Sequence, residues 1–291
     1  MARDLRLRLK IEELSRLYLV EKKSLEDIAR LYGSSRVAVW KYCKSEHITR
    51  RGRSDARLEA QKKGKVPQSY FDINENFFSS WSPEMAYVLG LIATDGCISK
   101  TGTVSLCIND RGLLEKVKDA MGSAHTIKYY GHQEGLYSFN FSRQKLCADL
   151  NRLGIFPNKS LNIRFPDVPD AFLIDFIRGV FDGDGSVFFE KKSPRFPLRT
   201  SFVSGSKQFI TALELKLRTL GMPQKNIWQH STKNSFSFTL RYAHKDSTKL
   251  FKILYQNLPE KSMFLMRKYE RFLQGIEHIE DSQPRAAGGT N

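Results

Sequence analysis

Two acidic residues of this 291-residue chain, Asp95 and Asp184, each stand directly before a glycine at the end of an apolar segment, 89 residues apart. The segments are VLGLIATDG (88–96) and IRGVFDGDG (177–185). Apolar residues at helical spacing followed by Asp-Gly read as a helix that ends in a C-terminal cap. If two such helices pack side by side, their ends bring Asp95 and Asp184 together, within the partial negative charge of both termini. Carboxylates placed in this way repel, and burial of the pair raises one pKa. A divalent cation removes the penalty. Mg2+ (or Mn2+) takes oxygen ligands, commonly one or two carboxylates completed by water and phosphate oxygens. Such an ion activates water and stabilises a leaving oxygen in phosphodiester hydrolysis. A plain C-cap turn accounts for one Asp-Gly. Two of them at matching places favour a metal site built from Asp95 and Asp184, with Asp182 the weaker acidic candidate.

The elements around these residues must then supply the positioning. Ser82-Pro83-Glu84 reads as N-cap, first-turn proline and early acidic residue for the first helix, and Asp170 is expected to cap the second. Ala86 and Gly90 on one helix, and Gly179 and Gly183 on the other, recur at four-residue spacing. Small residues so spaced let two helix backbones approach closely. Arg178 is expected to point away from that interface. The flanking sequence repeats: strands near 103–109 and 200–204, helices near 111–121 and 206–220, strand pairs 126–130 with 136–142 and 226–230 with 235–242, and helices near 144–153 and 245–257. The expected fold is α+β, two pseudo-symmetric αββαββα repeats over 81–168 and 169–277. The copies close with FPNKSL (156–161) and LPEKSM (258–263), which match Lys159 with Lys261.

The strands LYSFNFSR (136–143) and SFSFTLR (235–241) alternate aromatic with polar residues. Phe139, Phe141, Phe236 and Phe238 are expected in the core, with Ser138, Asn140, Ser142, Ser237, Thr239 and Arg241 on the opposite face. A one-residue slip of register would exchange the two sets. Lys191, Lys192, Arg195, Arg199, His230 and Lys233 are further candidates for contact with a polyanion.

Composition supports such a partner. The net charge is +16 and the isoelectric point about 9.7, a balance that favours binding nucleic acid. Cys43, Cys97, Cys107 and Cys147 are scattered without a Cys-x-x-Cys pair, and the histidines form no His-x-x-x-His pair, so carboxylates must carry any metal. No apolar run approaches the ~18 residues of a membrane span. The basic N-terminus lacks a signal-peptide apolar region, and the expected location is cytoplasmic, organellar or nucleoid-associated, not secreted.

Residues 1–50 read as a small all-α domain. Ile11, Leu14, Leu17 and Tyr18 form a helix face. Ser24 with Asp27 reads as a capping box, Gly33 as a stop, and Ser34 or Ser35 as the start of a third helix. The segment SLEDIARLYGSSRVAVWKYCKSEHI (24–48) resembles a helix-turn-helix, and on that resemblance Ser35, Arg36, Ala38, Lys41 and Lys44 would face DNA. Residues 51–80 read as a basic linker and 278–291 as a disordered tail.

The two motif segments resemble the paired motifs of the LAGLIDADG homing endonucleases in their single-chain, two-motif form, a resemblance that spans about 190 residues from Ser82 to Leu273. It implies a saddle of antiparallel sheets over the DNA major groove, with the motif helices at the interface of two halves. It also implies metal bound at the last acidic position of each motif (Asp95 and Asp184), a basic residue near each active centre (Lys159 and Lys261), and double-strand cleavage leaving 3′ overhangs. The first motif departs from the pattern at Ala93-Thr94. On this resemblance the partner is double-stranded DNA and the chain acts as a monomer without an obligate protein partner. A non-cleaving DNA-binding regulator and an RNA-binding intron maturase are the alternatives on the same fold.

Overall fold

The computed structural model describes residues 8–49, 51–52, 72–99, 101–130, 135–190, 197–231, 236–256 and 258–280. The chain divides into two compact units, Met1–Tyr70 and Phe71–Asn291.

The first unit holds three short helices: α1 (Ile11–Ser15), continued by a π-helical turn Arg16–Val20, then α2 (Leu25–Leu31) and α3 (Arg36–Ser45). The Ser24 hydroxyl accepts from the Asp27 amide at 3.1 Å, and the Asp27 carboxylate accepts from the Ser24 amide at 3.2 Å. This reciprocal pairing satisfies two donors that helix geometry leaves orphaned. Gly33, at φ +58°, reverses the chain, and Ser35 caps α3 by accepting from Ala38 N at 3.2 Å. Leu14, Leu17, Tyr18, Leu25, Ile28, Val39 and Tyr42 form the core of the unit. Ala38 belongs to that core, so it leaves the expected outward set, and Ile11, placed on the buried face by periodicity, is exposed. Ser35, Arg36, Lys41 and Lys44 are exposed as expected, and Val37 and Trp40 join them.

The second unit begins before the expected boundary at 81. Phe77 and Phe78, read as linker, are buried in its core, and Asp72 O accepts from Ala124 N at 2.7 Å. The unit runs α4 (Pro83–Thr94), β1 (Gly96–Ile98), β2 (Val104–Ile108), α5 (Arg111–Ala120), β3 (Lys128–Tyr129), β4 (Tyr137–Phe141) and α6 (Gln144–Arg152). It then repeats as α7 (Leu173–Asp184), β5 (Gly185–Phe189), β6 (Leu198–Ser204), α8 (Lys207–Thr219), β7 (Ile227–Ser231), β8 (Phe236–Tyr242) and α9 (His244–Tyr255), and α10 (Met266–Glu280) follows. Two antiparallel four-stranded sheets result, ordered β1-β2-β4-β3 and β5-β6-β8-β7. Their registers match: Gly96 pairs Leu106, which pairs Phe139, and Gly185 pairs Phe202, which pairs Leu240. The fold is the expected pseudo-symmetric α+β arrangement. No described helix is long and apolar enough to cross a membrane.

The pseudo-axis runs between α4 and α7. Residues Met85 to Ala93 of α4 are all buried, as a helix apolar on every side requires. Ser82 caps α4 by accepting from Met85 N at 3.1 Å. Asp170 does not cap α7: it starts a 3-10 turn (Asp170–Phe172), and Phe172 occupies the N-cap position without a side-chain bond. Glycines set the helix separation. A Cβ on Gly179 would overlap the Tyr87 carbonyl oxygen, and one on Gly90 would overlap the Phe176 carbonyl oxygen and lie 2.8 Å from Val180 N. The obstructing atoms are backbone and cannot rotate aside. Gly179→Ala is therefore expected to cost about 3 kcal/mol, at the upper end of overpacking penalties, read as a lower urea midpoint with an unchanged slope.

Candidate active site

Asp95 is the C-cap residue of α4, its amide donating to Leu91 O at 2.9 Å, and Asp184 is the last residue of α7. Thr94 turns its hydroxyl back onto Gly90 O and Leu91 O, at 3.1 and 3.0 Å. A Cβ on Gly183 would lie 3.3 Å from Asp95 Oδ2, so the Asp95 carboxylate rests against the end of α7. Desolvation, then the charge of Asp95, pushes the Asp184 carboxyl up to about 6, against the pull of Lys268 and Lys159. Asp95 is raised by the same crowding, held back by Lys268, Lys159 and Arg267. A cleft of about 200 Å³ opens beside Asp95, lined also by Asn109, Asp110 and Arg267.

Two lysines satisfy the backbone around the pair. Lys159, in the 3-10 turn Lys159–Leu161, is buried and donates to Gly96 O, just past Asp95. Lys268, on α10, is buried and donates to Phe181 O at 2.7 Å, Asp182 O at 2.6 Å and Gly183 O at 3.3 Å. It caps the carbonyl end of α7 with a positive charge, where the helix dipole favours one. Burial lowers both amines, Lys268 to about 8, opposed by the nearby aspartates. Lys261, the residue that the FPNKSL and LPEKSM match pairs with Lys159, is exposed in the segment before α10. Lys268 lies three residues after Leu265 and four before Phe272, both buried, so it is a lysine on the apolar stripe of the last helix. A lysine on that stripe is a misfit the sequence itself carries.

Asp182 has a different task from Asp184. It is buried, and its carboxylate accepts from Tyr87 OH at 2.7 Å, Leu265 N at 2.8 Å and Tyr255 OH at 3.0 Å. Those bonds tie α4, α9 and the start of α10 to α7. Arg178 extends the same clasp. It is buried, donates to Met263 O and Leu254 O at 3.1 Å each, pairs with Asp175, and lies 5.7 Å from the Tyr87 ring. Two residues of the motif helix thus hold the segment that delivers Lys268. An aromatic cluster of Phe181, Phe202, Phe251, Tyr255 and Phe272 seats α10 behind it.

Among the described residues, no group of three or more His, Cys, Asp or Glu side chains forms a metal cluster. The pair offers two carboxylates and leaves other coordination positions to water and substrate oxygens. That donor set suits a hard divalent cation such as Mg2+ or Mn2+, and the mutual repulsion of the carboxylates supplies the reason to bind one.

On each sheet, the face away from the core carries the polar set, with corrections. Asn140 is half-buried, and Ser142, Arg241 and His230 are exposed. Ser138 and Thr239 are buried in mid-sheet between flanking strands, so little of either side chain is exposed. Phe139, Phe141 and Phe238 are in the core, but Phe236 is exposed, paired with Ser231 at the end of its hairpin. Arg199 bonds Glu190 at 2.6 Å. Lys191, Lys192, Arg195 and Lys233 lie outside the described residues.

Two outcomes follow for the site. Lys268→Met strands three carbonyls and is expected to destabilise the fold by about 2–3 kcal/mol, whereas Lys261→Met leaves the denaturation midpoint unchanged. Because the Asp184 carboxyl is raised in the fold, its ionised form costs stability, a cost absent below pH 4 and complete once the pH passes about 6. In metal-free buffer Asp184→Asn should therefore melt above wild type at pH 8, and the two should converge at pH 4.

A search of curated protein sequences finds no match. Among solved structures, the fold is similar to full-length DUF199/WhiA from Thermatoga maritima (12% identity, 74% of this chain and 67% of that one, TM-score 0.45). It is also similar to the LAGLIDADG meganuclease I-AabMI bound to uncleaved DNA (11%, 69% and 92%, 0.44) and to mesophilic variants of the homing endonuclease I-DmoI (16%, 66% and 96%, 0.41). Residues 171–253, which run from α7 into α9, match the LAGLIDADG-like domain family. The matched segment contains the motif helix α7 and Asp184, so this chain carries a LAGLIDADG-like domain over residues 171–253.

Proposed function

We propose that the chain is a site-specific, divalent-metal-dependent endonuclease of double-stranded DNA. The observation that carries the reading is the convergence of Asp95 and Asp184 at the ends of two helices in backbone contact, with Lys159 and Lys268 behind them. Asp95 and Asp184 would hold the metal. Bound there, it would supply an activated water and a counter-charge for the leaving 3′ oxygen. Lys159 and Lys268 offset the carboxylate charge and add positive potential where a phosphate approaches. Their amines are engaged with backbone carbonyls, so their part is electrostatic rather than proton transfer. The outer faces of the two sheets, with Asn140, Ser142, His230 and Arg241, would lie along the major groove, and staggered cuts would leave 3′ overhangs. In the N-terminal unit, Arg36, Lys41 and Lys44 on α3 would add phosphate or base contacts. The net charge of +16 supplies the salt-dependent share of affinity. Since both motifs lie on one chain, a monomer suffices.

Two carboxylates kept at matching ends are what cutting requires, and a regulator that only binds DNA has no use for them. The test is incubation of a randomised duplex library with Mg2+, with Asp95→Asn/Asp184→Asn as control, followed by sequencing of the ends. A shared long site with 3′ overhangs, absent in the control, is expected. Selective binding with no ends would replace the endonuclease with a DNA-binding regulator. Binding to intron RNA alone would indicate a maturase.

A further inference from the structure

The matched registers of the two sheets allow their outer faces to be compared position by position. Leu106 and Phe202 are equivalent, because each pairs the glycine that follows a motif aspartate. One residue further, Cys107 on β2 corresponds to Val203 on β6. Their cross-strand partners are Ser138 and Thr239, and the next strand out supplies Lys128 and Trp228. The same three-strand row therefore reads Cys107–Ser138–Lys128 in the first sheet and Val203–Thr239–Trp228 in the second. Its parity is opposite to the core residues Phe202 and Leu240, so it lies on the outer face.

The second row is apolar and open. Trp228 is 63% exposed and Val203 37%, with the buried Thr239 between them. Exposed apolar side chains on a sheet surface are open to contact with a partner. In a protein of charge +16 they have a cation beside them: Arg241, together with His230, lines the same shallow pocket as Trp228 and Thr239, and the Arg241 guanidinium lies 5.8 Å from the Phe188 ring. A cation beside an apolar strip suits a surface whose edge meets phosphates and whose centre meets something apolar. On the major-groove floor of DNA, the apolar group is the 5-methyl of thymine. At the equivalent place the first sheet offers Lys128, exposed, which suits the acceptor oxygen and nitrogen of guanine.

We infer that the two sheets read their half-sites by different chemistry, the second through contact of Val203 and Trp228 with thymine methyl groups, the first through hydrogen bonding by Lys128. This rests on the proposed DNA recognition and specifies the base chemistry of each half.

The test uses the full chain and a randomised duplex library. Wild type and Trp228→Lys, which installs the residue of the first sheet at an exposed position, are each used to enrich binding sequences. Trp228→Lys is expected to lose a thymine preference in one half-site and leave the other half unchanged. The wild-type duplex is then remade with deoxyuridine for thymidine in one half at a time, which deletes the methyl and preserves pairing. Affinity should fall about fourfold per contacted methyl in the half altered by Trp228→Lys, by much less in the other half, and for the variant only at the methyl that Val203 still contacts. Equal sensitivity of both halves, or none in the Trp228 half, would overturn the inference while leaving DNA recognition intact. A wild type that enriches no sequence would overturn DNA recognition itself.

Discussion

Everything in the larger unit depends on how closely α4 and α7 approach. Gly90 and Gly179 place backbone against backbone across the pseudo-axis, with no room for a methyl group on either side. That separation decides whether two carboxylates at the helix ends form a pair or stand as two isolated caps. It also explains the electrostatics. The crowding that brings Asp95 against Gly183 removes water from both acids, and the cost is met by lysines drawn from two distant segments. The sheets follow directly from the helix ends, since β1 and β5 begin at the glycine after each aspartate. A shift of one helix along the other would therefore move a metal-ligand candidate and a four-stranded sheet together.

The elements that repeat were legible in the sequence because their periodicity is local. The motif helices, three strands of each sheet, the Ser24–Asp27 capping box and a helix start at Ser34 or Ser35 all show in patterns of fewer than about fifteen residues, whereas β1 and β5, directly after the motif glycines, were not placed. The aspartate pair was legible for another reason: Asp-Gly at matching points of a repeat is rare enough to stand out. What escaped was information held in long-range contacts. Asp182 and Asp184 differ by two positions and carry the same functional group, yet one is bound by two tyrosines and an amide while the other is exposed at the helix end. Nothing local distinguishes them. The same holds for Arg178, whose partners lie 76 and 85 residues away.

The errors in the strands have a common origin. Alternation assigns a face, but not how far along that face the covering extends. Phe236 has the parity of Phe238 and still lies in solvent, at the end of its hairpin. Ser138 and Thr239 have the parity of the open face and are still covered by their neighbours in mid-sheet. Lys268 reverses the usual expectation for a charged residue: a helix terminus with three carbonyls to satisfy is a polar environment inside an apolar one, and a lysine stem can reach it through the core.

The clasp around Asp182 also bears on whether the two halves are interchangeable. Tyr87, eight residues before Asp95, gives its hydroxyl to Asp182 across the pseudo-axis. The residue eight before Asp184 is Phe176, which has no hydroxyl, and the residue matching Asp182 in the first motif is Ala93. Donor and acceptor are thus divided between the repeats. Two copies of the first half would set Tyr87 against alanine, and two copies of the second would bury Asp182 opposite phenylalanine. Neither half carries a complete set for self-pairing, so the chain is built as a lock and its key rather than as two identical modules, and gene-level shuffling of its halves would have to move both partners at once.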